Sequence, residues 1–366
     1  MQFKRREFLK AGAAFSATAA FPSRLWAGDE FDPRPGPWRS YAVTTELTIN
    51  TEGATQAWIP LPSVNEREWF KSGASEWSTN GEATLVRDPK YGAEFLHVRW
   101  GASEKQSAVR VVSKVSTRDR AVDLGRPASP MQLAPAEREL YLHATELIPT
   151  DGIVKETSDK IVADAKTDLE KARAIYEWIV DNTFRKASTR GCGVGDIASL
   201  LVSGELGGKC ADLNALYVGL ARAAGIPARD VYGIRIAPSK FGYKSLGVGS
   251  EIVTKAQHCR AEVYLDRFGW VPVDPADVRK VILEEPPTNL PMSHPKVRAA
   301  RSTLFGAWET NWLAYNFAHD LMLPGSSGPN VGFLMYPQAE TGGARLDPLD
   351  PDNFKYTIRS KELTAT

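Results

Sequence analysis

Between Trp38 and about Val115, apolar and polar residues alternate in short runs separated by turn residues. Residues 41–49, 56–60, 83–87, 94–100 and 107–115 each read as a strand, and strands at this spacing predict a small β-sandwich. The pattern changes after Pro127, Pro130 and Pro135, which mark a linker. Leu169, Ala172, Tyr176 and Ile179 then form one apolar stripe of a helix over 168–181. Leu213, Leu216, Tyr217, Leu220 and Ala224 form another, which Gly225 and Pro227 bring to a stop. Alternation returns at 257–265, with Cys259, Ala261, Val263 and Leu265 on one face and His258, Arg260, Glu262 and Tyr264 on the other. Turn residues 266–268 and Gly269 make this the first arm of a hairpin continuing through Trp270-Val271-Pro272-Val273. The aromatic-rich stretch Trp308, Trp312, Tyr315, Phe317 reads as helix-like, and 331–336 and 354–358 read as strands. The three glycines of 241–249 predict a loop just ahead of the His258 strand, either a rim or lid or a slack connector.

Cys210 opens the second of these helices, after Gly207-Gly208-Lys209. Unpaired N–H groups and the positive end of the helix dipole favour a thiolate there, and the thiolate is the reactive form. A nucleophilic thiol needs a base and a group that orients it. His258 is the candidate base. A three-residue hairpin loop pairs Leu265 with Gly269 and puts Asp274 diagonal to His258 on the same face, within reach of a hydrogen bond. A four-residue loop would offer Asp277 instead. Pro275 ends the pairing, so Asp274 is favoured and Asp277 is held in reserve. Asp212 reads as a first-turn acid that stabilises the helix. Arg222, Arg229 and Arg235 read as partners of the protein's own acids, and His97, His143, His294 and His319 as packing or surface residues. Three cysteines leave pairing open: Cys192 with Cys259, or Cys192 with Cys210, the latter a lock released by reduction. A zinc site from Cys192, Cys210, His258 and Cys259 is disfavoured, because no CxxC pair is present and His258 and Cys259 face opposite sides of a strand.

GGKCADLNALYVGLARAAGIPAR followed by HCRAEVYLDRFGWVPVDPAD resembles the core of the transglutaminase-like superfamily, a branch of the papain-like thiol enzymes. Three separated motifs agree in order, over roughly residues 155–285. The resemblance implies an α+β fold, in which the helix bearing Cys210 packs on an antiparallel sheet bearing His258 and Asp274. It further implies a Cys210-His258-Asp274 triad that forms a thioester from a carboxamide or peptide carbonyl. Many relatives carry an aromatic oxyanion donor upstream of the cysteine. Here that neighbourhood, Gly191 to Ile197, has no tryptophan, and the second donor is unassigned.

The chain begins with Lys4-Arg5-Arg6-Glu7-Phe8-Leu9-Lys10 and an Ala-rich stretch, which resembles a twin-arginine export signal cleaved after Ala27. Losing residues 1–27 removes five basic side chains and one acidic one, taking the formal net charge from +1 to −3. That balance argues against nucleic acid as a partner. No apolar run reaches the length of a membrane span. With 43% hydrophobic and 24% charged residues in 366, two or three domains are expected. The expected organisation is an export signal at 1–27, a β-sandwich-like domain at 28–130, the catalytic core at 131–285 and a C-terminal extension packing on the core at 286–366. The expected protein is a bacterial thiol enzyme of the periplasm or exterior that acts on peptide or protein amides without cofactor or metal. Hydrolysis is favoured slightly over amine transfer, and the alternative is a non-catalytic peptide- or cell-wall-binding module on the same fold.

Overall fold

The computed structural model describes residues 31–50, 53–350 and 354–364; the expected export signal at 1–27 lies outside them. In the strand Gln106–Thr117, QSAVRVVSKVST, every second residue is buried, because successive side chains of a strand leave opposite faces of the sheet. That strand pairs with Arg39–Asn50 on one side and with Phe70–Thr79 on the other, all antiparallel. A second antiparallel sheet is built on Thr55–Leu61, Glu94–Trp100 and Glu82–Arg87. Leu47, Ile49, Val109 and Val111 of the first sheet pack with Ala57, Ile59, Leu96 and Val98 of the second, which makes the predicted sandwich. The unpredicted strand Phe70–Thr79 is polar and largely exposed, so it carries little of the alternation by which strands are recognised.

The second unit is centred on a four-stranded antiparallel sheet in the order Gly269–Val273, Gln257–Leu265, Ala228–Arg235, Trp312–Asn316. The helix Cys210–Ala223 packs on it, with Leu213, Leu216, Tyr217 and Leu220 completely buried. Gly225 ends this helix at φ +83°, the left-handed conformation in which glycine alone is unstrained. The predicted stripe also appears, since Ala172, Tyr176 and Ile179 are buried in the helix Asp168–Asn182.

Two readings of the C-terminal segment are corrected. The aromatic stretch is not helical: Ala307–Trp308 and Trp312–Asn316 are strands, and Trp308 and Trp312 are fully buried. A short run buried on all sides has no polar face from which to tell period 2 from period 3.6. Residues 331–336 form no strand beyond a single bridge between Val331 and Leu321. The segment is shared between the two units, because Trp312–Asn316 joins the core sheet while Gln338–Thr341 and Lys355–Leu363 extend the two sandwich sheets. No helix of the described residues is long and apolar enough to cross a membrane.

Candidate active site

The hairpin is built as its turn residues require. Leu265 pairs with Gly269 and Ala261 with Val273, and Gly269 takes φ +70°. Pairing stops there, and Asp274 serves as N-cap of the helix Pro275–Glu284, its Oδ1 accepting the Asp277 N–H at 3.0 Å. Its Oδ2 accepts from His258 Nε2 at 2.8 Å. Both carboxylates named from sequence therefore reach the histidine, since Asp277 Oδ2 lies 3.4 Å from the same nitrogen. Their roles differ. Asp277 is gripped by Arg235 Nη2 at 2.6 and 2.7 Å, which leaves Asp274 as the main partner of the ring. Asn214 Nδ2 holds Asp274 Oδ1 at 3.2 Å from the Cys210 helix.

Cys210 lies at the floor of a cleft of about 1040 Å³ and is nearly inaccessible, at 4%. Cys192, Cys259 and His258 are the groups that act most strongly on its thiol. With Nε2 committed to Asp274, Nδ1 is the ring nitrogen left for the sulfur. Donation from Cys192 and Cys259, then from His258 and its charge, holds the Cys210 thiol well below its ordinary range against the cost of burial. At His258 burial works against protonation, but Asp277 and Asp274 outweigh it and raise the imidazole to about 9. Both shifts favour the thiolate–imidazolium pair over the neutral one.

The loop 191–195 is fixed over the helix start by Asp212, whose Oδ1 accepts from the Val194 and Gly195 N–H groups, both at 3.0 Å. Its Oδ2 accepts the Lys209 N–H at 2.9 Å. Asp212 is more than the helix-stabilising acid expected. Gly193, at φ +94°, must be glycine, because a Cβ would fall 1.9 Å from Asp212 Oδ2. The same loop delivers Cys192, whose carbonyl accepts the Ala211 N–H at 2.9 Å and whose Sγ lies 3.3 Å from the Gln257 carbonyl, so that its single S–H proton is shared between that oxygen and the Cys210 sulfur. Among the described residues the Cys210 N–H, at the first turn of its helix, has no hydrogen-bond partner. Sequence reasoning missed Gln257, a cleft residue whose buried Nε2 has no hydrogen-bond partner among the described residues.

All three cysteines are free thiols. Cys259 lies on the apolar face of its strand and is fully buried against the helix, as the alternation predicts; Cys210 is that helix's first residue, which brings the two thiols together. The set that converges within 4.8 Å among the described residues is His258, Asp274 and Asp277 rather than the cysteines. Arg235 and the His258 N–H already satisfy those carboxylates. Of the arginines, Arg229 and Arg235 pair with Glu262 and Asp277 as expected, whereas Arg222 donates to the carbonyls of Ala228 and His143.

A thiol at a helix start, a histidine on one strand and an aspartate where the next strand ends is the arrangement of a known group, and residues 155–275 match the transglutaminase-like superfamily core. The chain belongs to the transglutaminase-like superfamily. An uncharacterised protein of Haemophilus influenzae is 40% identical over 340 residues, 88% of this chain and 91% of its own length. The crystal structure of a candidate cysteine protease from Cytophaga hutchinsonii is similar over 91% of this chain and 93% of its own, at TM-score 0.58 and 12% identity. That resemblance extends the shared fold beyond the transglutaminase-like core into the flanking sheets. The periplasmic domain of TgpA from Pseudomonas aeruginosa aligns over 70% of this chain and 90% of its own, at 15% identity and TM-score 0.33, too low to argue from.

Proposed function

We propose that this transglutaminase-like protein is a thiol enzyme that opens peptide or protein amides through Cys210, His258 and Asp274. The observation that carries the reading is the placement of the Cys210 thiol against His258, whose far nitrogen donates to Asp274 at 2.8 Å. The Cys210 thiolate adds to the amide carbon, and the carbonyl electrons move to an oxyanion received by the Cys210 N–H. As that oxyanion collapses, the C–N bond breaks and imidazolium His258 gives its proton to the leaving amine. A thioester remains. Water that loses a proton to His258 attacks it, the C–S bond breaks, and acid and thiol are released. A lysine amine in place of water would make the product an isopeptide. The wide, charged cleft admits water, which favours hydrolysis.

The catalytic core is assigned to 131–285, between a sandwich domain over 28–130 and the 286–366 segment. Residues 1–27 are proposed as a twin-arginine export signal, placing the mature enzyme in the periplasm or outside the cell.

The test is the pH dependence of Cys210 alkylation by iodoacetamide, with and without reductant, in wild type and His258→Ala. A thiol reactive well below the ordinary range, and displaced upward in the variant, supports the ion pair. A thiol that behaves as free cysteine in both proteins leaves a binding module on the same fold. Reactivity that appears only after reduction identifies a disulfide lock.

A further inference from the structure

The cleft is electrostatically one-sided although the whole chain is balanced, with 45 basic and 44 acidic side chains. Arg185, Arg190, Lys209, Lys255, Lys280 and Lys355 line it, and among the described residues the one acid in the lining, Glu46, is turned to Arg110 Nε at 3.1 Å. The arginines are engaged: Arg185 with Glu284, and Arg190 with Asp347 at 2.8 Å. The lysines are not. Among the described residues Lys209, Lys255 and Lys355 have no carboxylate partner. Lys280 comes only within 3.8 Å of Glu284, whose other oxygen already holds Arg185.

These four lysines line the cleft that holds Cys210 from separate parts of the chain. Lys209 directly precedes Cys210, Lys255 lies three residues before His258, Lys280 is on the helix that Asp274 caps, and Lys355 begins the last strand. Burial, reinforced by the charge of Arg235, lowers Lys280 to about 8, so this ammonium is held at a cost that an arriving anion relieves. A concave wall of one sign focuses the field on what enters it. Phosphate groups are favoured by bidentate arginine forks, but here each of these two arginines already holds a carboxylate of the protein through one nitrogen, and the unpaired charges are separate lysine points, suited to carboxylates spaced along a chain.

Resting on the reading of Cys210 as an amide-attacking nucleophile, we infer that the substrate is an acidic peptide segment, with carboxylates flanking the bond that Cys210 attacks and received by Lys209, Lys255, Lys280 and Lys355.

The experiment compares alkylation of Cys210 in the full chain by iodoacetate, an anion, and by iodoacetamide, its neutral counterpart. The ratio of the two rates cancels differences in thiolate reactivity. The expected ratio exceeds that of a free thiol, falls roughly threefold to tenfold in Lys255→Gln/Lys355→Gln, and falls likewise at about 0.5 M NaCl. Both lysines are exposed, so this variant keeps the test open should the half-buried Lys280→Gln fail to fold. Rapid iodoacetamide reaction with a ratio indifferent to these lysines overturns the inference and leaves the enzyme reading standing. Slow reaction with both reagents removes the nucleophile, and with it both readings. In a second arm, an N-acetylated glutamate-containing peptide should protect Cys210 from iodoacetamide at least tenfold better than its glutamine counterpart. Equal protection by inorganic phosphate or a short oligonucleotide would overturn the assignment to carboxylates.

Discussion

Asp274 serves His258 and a helix at once: one oxygen accepts His258 Nε2 at 2.8 Å and the other caps Pro275–Glu284 by accepting the Asp277 N–H at 3.0 Å. The cap fixes the carboxylate without help from a mobile side chain. Asp274→Asn preserves size and capping ability, since asparagine is as good an N-cap as aspartate, but withdraws the charge that steadies the imidazolium. Amide cleavage should fall on the order of 10²- to 10⁴-fold with the melting temperature little changed. Asp274→Ala should lose both. A thermal melt beside a rate measurement separates the two roles, and an Asp274→Asn protein that cleaves at the wild-type rate would remove Asp274 from the triad.

Cys192 is the first contributor to the depressed pKa of Cys210, ahead of Cys259 and His258. Cys192→Ala deletes a donor to the thiolate, so the low-pH rise of alkylation should move to higher pH. Cys192→Ser keeps a donor and should stay close to wild type. A lock between Cys192 and Cys210 would give another pattern, with both variants reacting in the absence of reductant while wild type does not. The rate of iodoacetamide modification against pH distinguishes these cases.

The two shifted groups define a window. Cys210 is ionised from well below the usual thiol range upward, and His258 keeps its proton up to about 9. Acyl transfer needs both states, so amide cleavage should be bell-shaped and fall as pH rises through about 9. Alkylation needs only the thiolate and should not fall there. The same sign governs stability. A histidine raised from 6.5 to about 9 contributes fully below 6.5, and its contribution is lost as pH rises through about 9. Urea midpoints at pH 7 and pH 10 check this part. A cleavage profile still flat at pH 10 would contradict the ion pair.

The site was legible because its parts are tied to local geometry that sequence encodes directly. Cys210 sits before a periodic helix, and the parity of one hairpin decides which acid meets His258. Gly269 and Pro275 settle that parity, and the observed Leu265–Gly269 register follows. What stayed hidden depends on contacts far apart in sequence. Nothing in the Gly191–Ile197 loop announces that Asp212 will hold its N–H groups, and the pairing considered for Cys192 and Cys210 places the two together without showing that both stay free thiols. The strands around Trp308 and Trp312 were misread because both faces are covered, which erases the period. The strand Lys355–Leu363 pairs with Arg39–Asn50, more than 300 residues earlier, and no local signal specifies such a partner.

Glu262 lies on the polar face of the His258 strand, completely buried, with Arg120 on one oxygen and Arg229 Nε at 2.5 Å on the other. Arg229 also reaches Glu66 at 2.8 Å, and Arg120 stacks against Trp69 and Trp308. Glu66 and Trp69 belong to the sandwich unit, so the cluster joins the two units beneath the hairpin. Removing the central charge leaves buried Arg120 without a carboxylate and buried Arg229 dependent on Glu66 at its far side, a loss of about 3–5 kcal/mol for a broken buried pair. Glu262→Ala should therefore lower the urea midpoint strongly, and with the junction weakened the sandwich and catalytic units should unfold in two steps where the wild type unfolds in one. Although burial acts against ionisation of Glu262, the two arginines lower its pKa. Its contribution is present above the ordinary glutamate range and is lost as pH falls through the lowered value, so the variant's deficit should shrink in acid. A single cooperative transition at the wild-type midpoint would show that the arginines find other partners and that Glu262 does not join the units.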